Sequence, residues 1–224
     1  MQLHQLLSIL LLPSLLPAQF DKPGVNEVQD QPGLPRVLLI GDSISGGYGP
    51  VVRERLKGKA NVHSVHRQKI NGDTNNGLEE IDSWLNRGPW DIIHFNWGLW
   101  DLKVQEDGRN VVPIEQYGQN LRTLVKRLKQ TRALLIFATS TPVPDLVLGP
   151  KRLAADVPVY NAVARKVMQE EQVFIDDLYA IALPRLPKIQ FPNDVHFAPE
   201  GDELLGERVS NCILYLASTL KSKK

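Results

Sequence analysis

The feature that most constrains the fold of this chain is an apolar run that ends abruptly in three turn-forming and polar residues. Residues 37–40 are Val-Leu-Leu-Ile, and Gly41, Asp42 and Ser43 follow directly. A short apolar run bounded in this way is typical of a strand that is buried on both faces. The glycine-rich residues 46–49 then predict a turn that leads into a helix. Ser43 is therefore expected at the carboxyl end of a buried strand, where a nucleophilic side chain can reach a ligand.

The rest of the chain alternates between short apolar runs and longer amphipathic stretches, which is typical of α/β proteins. We predict a three-layer α/β/α sandwich around a parallel sheet of about five strands. Such a sheet binds ligands beyond the carboxyl ends of its strands, where Ser43 would lie. The later predicted strands cover residues 60–66, 91–97, 133–138 and 173–175, and the later predicted helices cover residues 114–130, 154–171 and 200–220.

The two ends of the chain differ from the single domain predicted over residues 36–220. Residues 6–16 form a mainly apolar run that is too short to span a bilayer as a helix. We therefore predict a signal peptide over residues 1–18, export to a periplasm or the exterior, and no stable membrane span. Residues 19–35 are rich in proline, glycine and polar side chains and are expected to form an exposed leader. Residues 221–224 are expected to form a basic tail.

The charge balance argues against nucleic acid as a partner, and the spacing of glycines argues against a phosphate-binding loop. The 224 residues carry a net charge of +1, and the basic residues are spread among nearly equal numbers of acidic ones. Nucleic acid is therefore not a predicted partner. A phosphate-binding loop that began at Gly41 would need Lys and then Ser or Thr where Gly47 and Tyr48 stand. We predict no cofactor and no metal site.

A second polar cluster lies near the C-terminus, where Asp194 and His196 precede the last predicted helix. Serine becomes a strong nucleophile when a histidine accepts its proton, and a carboxylate on the other ring nitrogen fixes the histidine tautomer. A loop histidine alone more often has a structural hydrogen-bonding role, but here a candidate nucleophile is also present. Ser43, His196 and Asp194 are therefore a candidate catalytic triad.

These residues, in this order, resemble the SGNH hydrolases, also called the GDSL esterase family. Residues 41–44, Gly-Asp-Ser-Ile, match the first sequence block of that family, and residues 70–74, Ile-Asn-Gly-Asp-Thr, look like the second. The resemblance extends over about residues 36–216. It implies a flavodoxin-like sheet, an acyl-enzyme on Ser43, and an oxyanion hole to which the N–H groups of Ser43 and Gly72 donate.

The third block of the family, Gly-x-Asn-Asp, is altered in this chain. Its counterpart begins at Gly98 and ends at Asp101, and Trp100 stands where the family has an asparagine that donates to the oxyanion. The indole N–H of Trp100 is itself a donor and is one candidate for the missing group. Asn96 is the other candidate, provided that the chain bends sharply at Gly98.

The last block of the family, Asp-x-x-His, is altered as well. Asn193 stands three positions before His196, whereas Asp194 stands only two positions before it. We expect Asp194 to orient the histidine through a change in loop geometry. Asn193 is the alternative for that position.

The resemblance implies a serine esterase that hydrolyses a small acyl ester, with an acetyl ester of a carbohydrate as one candidate substrate. Two other functions use the same residues. One is an SGNH fold with weakened catalysis that binds a glycan or a protein, and the other is an acyltransferase. A glycan-binding protein would need exposed aromatic surfaces for stacking on sugar rings. The candidates for that role are Trp84, Trp90, Trp97 and Trp100.

Overall fold

The computed structural model describes residues 24–26, 28–66, 72–144, 149 and 151–221. The predicted signal peptide and residues 222–224 of the predicted basic tail lie outside the described residues. Among the helices that the structure describes, none is both long enough and apolar enough to cross a membrane.

The described strands form one six-stranded sheet in the order β1-β3-β2-β4-β5-β6. Strand β1 pairs with β3 in antiparallel orientation, and the other four pairings are parallel. The parallel part of the sheet therefore has five strands, as predicted. The strands are β1 (Gly24–Asn26), β2 (Arg36–Ile40), β3 (Asn61–His66), β4 (Ile92–Phe95), β5 (Leu134–Ala138) and β6 (Phe174–Asp176).

Helices cover both faces of the sheet and complete the predicted three-layer sandwich. Helices α1 and α7 pack against each other, and α3 packs between α2 and α4. The helices are α1 (Ser43–Arg55), α2 (Thr74–Leu85), α3 (Ile114–Lys129), α4 (Asp156–Glu170), α5 (Leu178–Ala182), α6 (Leu186–Ile189) and α7 (Pro199–Lys221), with one 3₁₀ turn at Leu183–Arg185.

The strands and helices with a clear apolar period lie where the sequence predicts them. Val37, Leu38 and Ile40 of strand β2 are completely buried, as a central strand covered on both faces requires. In helix α3, the apolar side chains at helical spacing, Leu121 and Leu124 among them, are completely buried as well. The residue pattern of these elements therefore determines which side faces the core.

Helix α1 begins at Ser43 itself, which corrects the prediction of a glycine-rich turn between the strand and the helix. Asp42 is the N-cap, and its side chain accepts a hydrogen bond of 2.9 Å from the N–H of Ile44. Glycine has a low helix propensity, so tertiary packing against α7 has to stabilise this helix. A Cβ atom at Gly47 would lie 2.5 Å from the carboxylate of Asp202 in α7. A side chain at this position would therefore require the carboxylate of Asp202 to move.

The prediction of an exposed leader over residues 19–35 is also corrected in part. Residues 29–33 are exposed, but Gly24–Asn26 form strand β1 at the edge of the sheet. Asp30 accepts hydrogen bonds or ion-pair contacts from Arg36 and from His63 at 2.7 and 2.8 Å. Without β1, strand β3 would be an edge strand with unpaired backbone N–H and C=O groups, and a short extended segment can pair with such groups without any apolar pattern of its own. Composition alone could not predict this pairing.

Candidate active site

Ser43 lies where the first strand of the parallel sheet passes into its first helix. It directly follows the N-cap Asp42, and its side chain is exposed. The first N–H groups of a helix have no partner within the helix and carry a partial positive charge. The backbone N–H of Ser43 is one of these groups. The same residue therefore presents a hydroxyl and an N–H donor at the carboxyl edge of the sheet.

His196 lies on a loop that returns to this edge just before helix α7. The N–H of Phe191 donates to the carbonyl oxygen of His196 at 3.1 Å, and the N–H of Asp194 donates to the carbonyl oxygen of Phe191 at 3.2 Å. The side-chain amide of Gln190 donates to the carbonyl oxygens of Pro142 and Val195 at 3.0 and 3.1 Å. These hydrogen bonds fix the loop between residues 190 and 196 against the segment that follows β5.

The structure joins the three predicted triad residues in one hydrogen-bonded chain. Nε2 of His196 lies 2.8 Å from Oγ of Ser43, and Nδ1 of His196 lies 2.7 Å from Oδ1 of Asp194. An Nδ1–H group that donates to Asp194 leaves Nε2 free to accept the hydroxyl proton of Ser43. The side chains of His196 and Asp194 are about half exposed, at 47% and 46%. The chain of hydrogen bonds is therefore open to solvent and to a ligand.

Asp194, and not Asn193, is the residue that contacts the histidine. Oδ1 of Asp194 also accepts a hydrogen bond of 3.0 Å from the backbone N–H of His196, which is the geometry of an Asx turn. Asn193 adopts a left-handed backbone with φ of 58°. Asparagine tolerates this conformation better than most residues, and the turn it makes places the next side chain against the imidazole. The spacing of two between acid and histidine is therefore compatible with direct contact.

The surroundings of Asp194 favour its ionised form. Partial burial acts to raise the pKa of this carboxyl, but hydrogen bonds from the backbone N–H and the imidazole of His196, with the charge of that ring, lower it below its usual value of 3.8. Asp194 is therefore a carboxylate throughout the neutral and weakly acidic range.

The groups predicted for an oxyanion hole occupy two different environments. Gly72 lies against Trp100, since a Cβ atom built on it would lie 2.6 Å from Cδ1 of the indole and 3.2 Å from Cβ of Asp42. Asn96 points elsewhere, because its side-chain amide donates to the carbonyl oxygen of Ala138 at 2.7 Å. The structure thus brings Gly72 and Trp100 together beside the nucleophile loop and binds the amide of Asn96 to strand β5. Residues 70 and 71 of the second block lie outside the described residues, since the described chain resumes at Gly72.

The tryptophans predicted as stacking surfaces are mostly in the core. Trp84, Trp90 and Trp97 are 3%, 4% and 1% exposed. Trp97 fills space left by a helical glycine, because a Cβ atom at Gly77 would lie 2.8 Å from its ring. Trp100 alone among the four is partly exposed. A glycan-binding surface made of several tryptophans is therefore ruled out for this fold.

Two charged residues near the site carry no recognisable sequence signal. Arg152 lies in the loop before α4 with only 5% of its surface exposed. Asp202 lies in the first turn of α7, where burial raises the pKa of its carboxyl and the nearby charge of His196 acts to lower it. An acidic residue is common in the first turn of any helix, and a lone arginine in a loop belongs to no repeating pattern, so neither residue stands out in the sequence. Only the folded chain places these two residues beside the candidate triad.

A model of the GDSL-like lipase/acylhydrolase family matches residues 39–204, well over half of the chain. The chain belongs to this family. The match begins within strand β2 and extends into helix α7, so it spans both Ser43 and His196. The resemblance to the SGNH hydrolases is thereby confirmed, and at the level of the family the protein is an ester-hydrolysing enzyme.

Three similar proteins have names that describe esterases, and two of these names specify acetate esters. The chain is 25% identical over 205 residues to a GDSL esterase/lipase of Arabidopsis thaliana. This alignment covers 79% of this chain and 84% of the relative. It is 26% identical over 198 residues to the isoamyl acetate-hydrolyzing esterase 1 homolog of Homo sapiens, covering 76% and 78%. A crystal structure of an acetyl xylan esterase has a TM-score of 0.66 at 16% identity, over 80% of this chain and 99% of the other. This last similarity shows a shared fold.

Asp101, the acid of the family's third block, is completely buried in this GDSL protein. Its Oδ1 accepts hydrogen bonds from the N–H and the hydroxyl of Thr74 at 2.9 and 2.6 Å, while its Oδ2 has no partner among the described residues. Burial raises the pKa of this carboxyl from 3.8 to about 7; the hydrogen bonds from Thr74 act to lower it, and the charge of Asp73 acts to raise it. Asp101 thus links the loop that carries Trp100 to the start of helix α2.

Replacing Asp101 by asparagine is expected to change how stability depends on pH. Between pH 3.8 and about 7 the folded protein keeps this proton while the unfolded chain releases it, so the free energy of unfolding falls as pH rises through that interval. The loss amounts to about 4 kcal/mol at most and is complete above pH 7. Asparagine keeps the acceptor for Thr74 and cannot ionise. Urea unfolding at pH 4 and pH 8 should therefore show a larger decrease for the parent than for Asp101→Asn. Equal decreases would contradict an un-ionised Asp101 in the folded protein.

Proposed function

We propose that the protein is a serine esterase that hydrolyses small acyl esters through an acyl-enzyme on Ser43. The hydrogen-bonded chain from Oγ of Ser43 through His196 to Asp194 is the observation that carries this proposal. It contains a nucleophile, a base within reach of the nucleophile's proton, and a carboxylate that orients the base.

In the proposed reaction, Nε2 of His196 takes the hydroxyl proton while Oγ of Ser43 attacks the carbonyl carbon of the ester. The carbonyl π-bond becomes a lone pair on the oxyanion, which accepts hydrogen bonds from the N–H groups of Ser43 and Gly72 and from the indole of Trp100. When the tetrahedral intermediate collapses, His196 returns the proton to the departing alcohol. Water, activated by the same histidine, then releases the acid and restores Ser43.

The preference for a small acyl group is supported by the names of similar proteins. The names of the human relative and of the structural neighbour both record acetate esters, although the alcohols are isoamyl alcohol in one case and xylan in the other. Acetyl esters are therefore the proposed substrate class, and a carbohydrate is the proposed alcohol.

The alternatives are less well supported by the same geometry. A glycan-binding protein would have no need for the Ser43 to His196 hydrogen bond, and three of its four candidate tryptophans are buried. An acyltransferase would need to exclude water from the acyl-enzyme. Here the side chains of His196 and Asp194 are about half exposed, which favours water as the acceptor. Export through the segment at residues 1–18 stays a prediction of the sequence.

The proposal predicts that a fluorophosphonate probe labels the purified protein on Ser43, because such probes react with activated serine hydroxyls. Mass spectrometry of the tryptic peptides identifies the modified residue. The labelled protein should have lost the ability to release acetate from acetylated xylo-oligosaccharides and from simple alkyl acetates. Folded protein that takes up no label and releases no acetate would contradict the esterase proposal and favour a binding function. Formation of a transacylated product in preference to free acetate would instead show an acyltransferase.

A further inference from the structure

Arg152 is a buried arginine that lies against the altered third block of the family. Its Nε donates to the carbonyl oxygen of Leu99 at 2.8 Å, and its guanidinium carbon lies 5.4 Å from the centre of the Trp100 ring. Removing a charged side chain from water is costly unless it is hydrogen-bonded and paired. Because only 5% of the surface of Arg152 is exposed, its guanidinium needs partners within the protein.

Trp100 connects this arginine to the nucleophile loop. The atom of the indole closest to a Cβ built on Gly72 is Cδ1, at 2.6 Å. Cδ1 is bonded to both Nε1 and Cγ, and Cγ is the next indole atom at 3.2 Å, so the five-membered ring that carries the N–H faces Gly72. The same built Cβ would lie 3.2 Å from Cβ of Asp42, the residue before Ser43. Within the part of the chain that the structure describes, the indole N–H makes no hydrogen bond, so it is available as a donor.

The electrostatic surroundings of Arg152 agree with this placement. Burial lowers the pKa of its guanidinium, while the charges of Asp42 and Asp194 act to raise it. Asp42 directly precedes the candidate nucleophile, and Asp194 contacts the candidate base. Arginine keeps its charge under such conditions, because its guanidinium stays protonated far above neutral pH. A permanent positive charge therefore interacts with the acids that lie beside Ser43 and His196.

We propose that Arg152 is a positioning residue for the oxyanion hole, because it holds the Trp100 ring against Gly72 with the indole N–H in place of the family's asparagine amide. The hydrogen bond to Leu99 fixes the backbone just before the tryptophan. The contact between the guanidinium and the ring is a cation–π interaction, which fixes the ring itself. This inference rests on the proposed esterase function and adds a positioning residue to it.

The first test is the substitution Arg152→Met, which keeps an unbranched chain and removes the charge and the hydrogen bond. We expect kcat for acetyl esters to fall by about 10- to 100-fold, with KM changed by less than about threefold, because only interactions made in the transition state are weakened. The matched control is Lys103→Met. Lys103 places its ammonium 5.5 Å from the centre of the same ring and is partly exposed. This control should leave kcat within about twofold of the parent, since the hydrogen bond to Leu99 is intact.

The second test is a double-mutant cycle with Trp100→Phe, which keeps an aromatic ring and removes the N–H donor. Trp100→Phe alone should lower kcat by about 100-fold. Adding Arg152→Met should then lower kcat by less than about threefold more, because there is no donor left to position. Arg152→Lys serves where Arg152→Met does not fold, and it should show the same lack of further loss in the Trp100→Phe background.

Three results would overturn the inference. Unchanged kcat in the Arg152 variants would show that the arginine is not needed, and unchanged kcat in Trp100→Phe would show that the indole N–H is not the donor. Equal losses for Arg152→Met in both backgrounds would show a role in the fold alone. A parent that neither reacts with the fluorophosphonate nor hydrolyses esters would contradict the proposed function itself, and the inference with it. Thermal unfolding of each variant separates a loss of stability from a loss of kcat.

Discussion

Replacing Ser43 by alanine is expected to lower kcat for acetyl esters by about 10⁶-fold, because removing the nucleophile of a serine triad leaves only the catalysis that binding and the oxyanion donors supply. Alanine occupies the same place at the start of helix α1, where Asp42 provides the N-cap through its own side chain. The fold should therefore be unaffected. The measurement is acetate release under substrate saturation, together with loss of fluorophosphonate labelling.

Ser45 provides the matched control for this substitution. It lies on the same helix two positions further along, and its hydroxyl donates to the carbonyl oxygen of Asp42 at 2.7 Å, not to a histidine. Ser45→Ala should keep kcat within about threefold of the parent, because the lost hydrogen bond is local. Turnover by Ser43→Ala at a rate close to that of the parent would exclude an acyl-enzyme on Ser43.

The elements that could be predicted from the sequence are those with a local apolar period. Strand β2 and helix α3 are examples, since buried residues follow one another in β2 and recur at helical spacing in α3. Strand β1 has three residues, and helix α2 begins with Thr-Asn-Asn-Gly, which have low helix propensity. Both elements depend on contacts with β3 and α3 that are distant in sequence. Their presence could not be derived from local patterns.

The candidate site divides in the same way. Ser43 could be identified because it closely follows a buried strand and stands at the start of a helix. His196 could be identified because a loop histidine next to an acid is a candidate base once a candidate nucleophile is present. Asp194 was distinguishable from Asn193 only through loop geometry, including the left-handed backbone of Asn193. Arg152 is separated from Leu99 by 53 positions and joins it through a single hydrogen bond. Contacts of this kind leave no spacing or period in one sequence.

The substitution Asp194→Asn should lower kcat by about 10⁴-fold, because the carboxylate that holds His196 in the reactive tautomer is replaced by a neutral amide. In the parent, Oδ1 of Asp194 accepts hydrogen bonds from both Nδ1 and the backbone N–H of His196. An amide can present its NH₂ group to the imidazole, which favours the tautomer with the proton on Nε2. That nitrogen could then no longer accept the proton of Ser43. Steady-state kinetics with an acetyl ester measure the loss, and circular dichroism shows whether the loop change has affected the fold.

Two variants of Asn193 test whether the loop geometry or the family's Asp-x-x-His spacing decides which position supplies the carboxylate to His196. Asn193→Gly should keep kcat within about twofold of the parent, since glycine adopts the left-handed backbone at this position without strain. Asn193→Asp combined with Asp194→Asn moves the carboxylate to the family's spacing of three. The turn directs the side chain at position 194, not at 193, towards the imidazole, so this pair should recover less than about tenfold of the lost kcat. Full recovery would show that the loop can rearrange and that either position supplies the acid. Failure to recover would show that this chain retains a carboxylate on its histidine through a tighter turn, despite the loss of the family's Asp-x-x-His spacing.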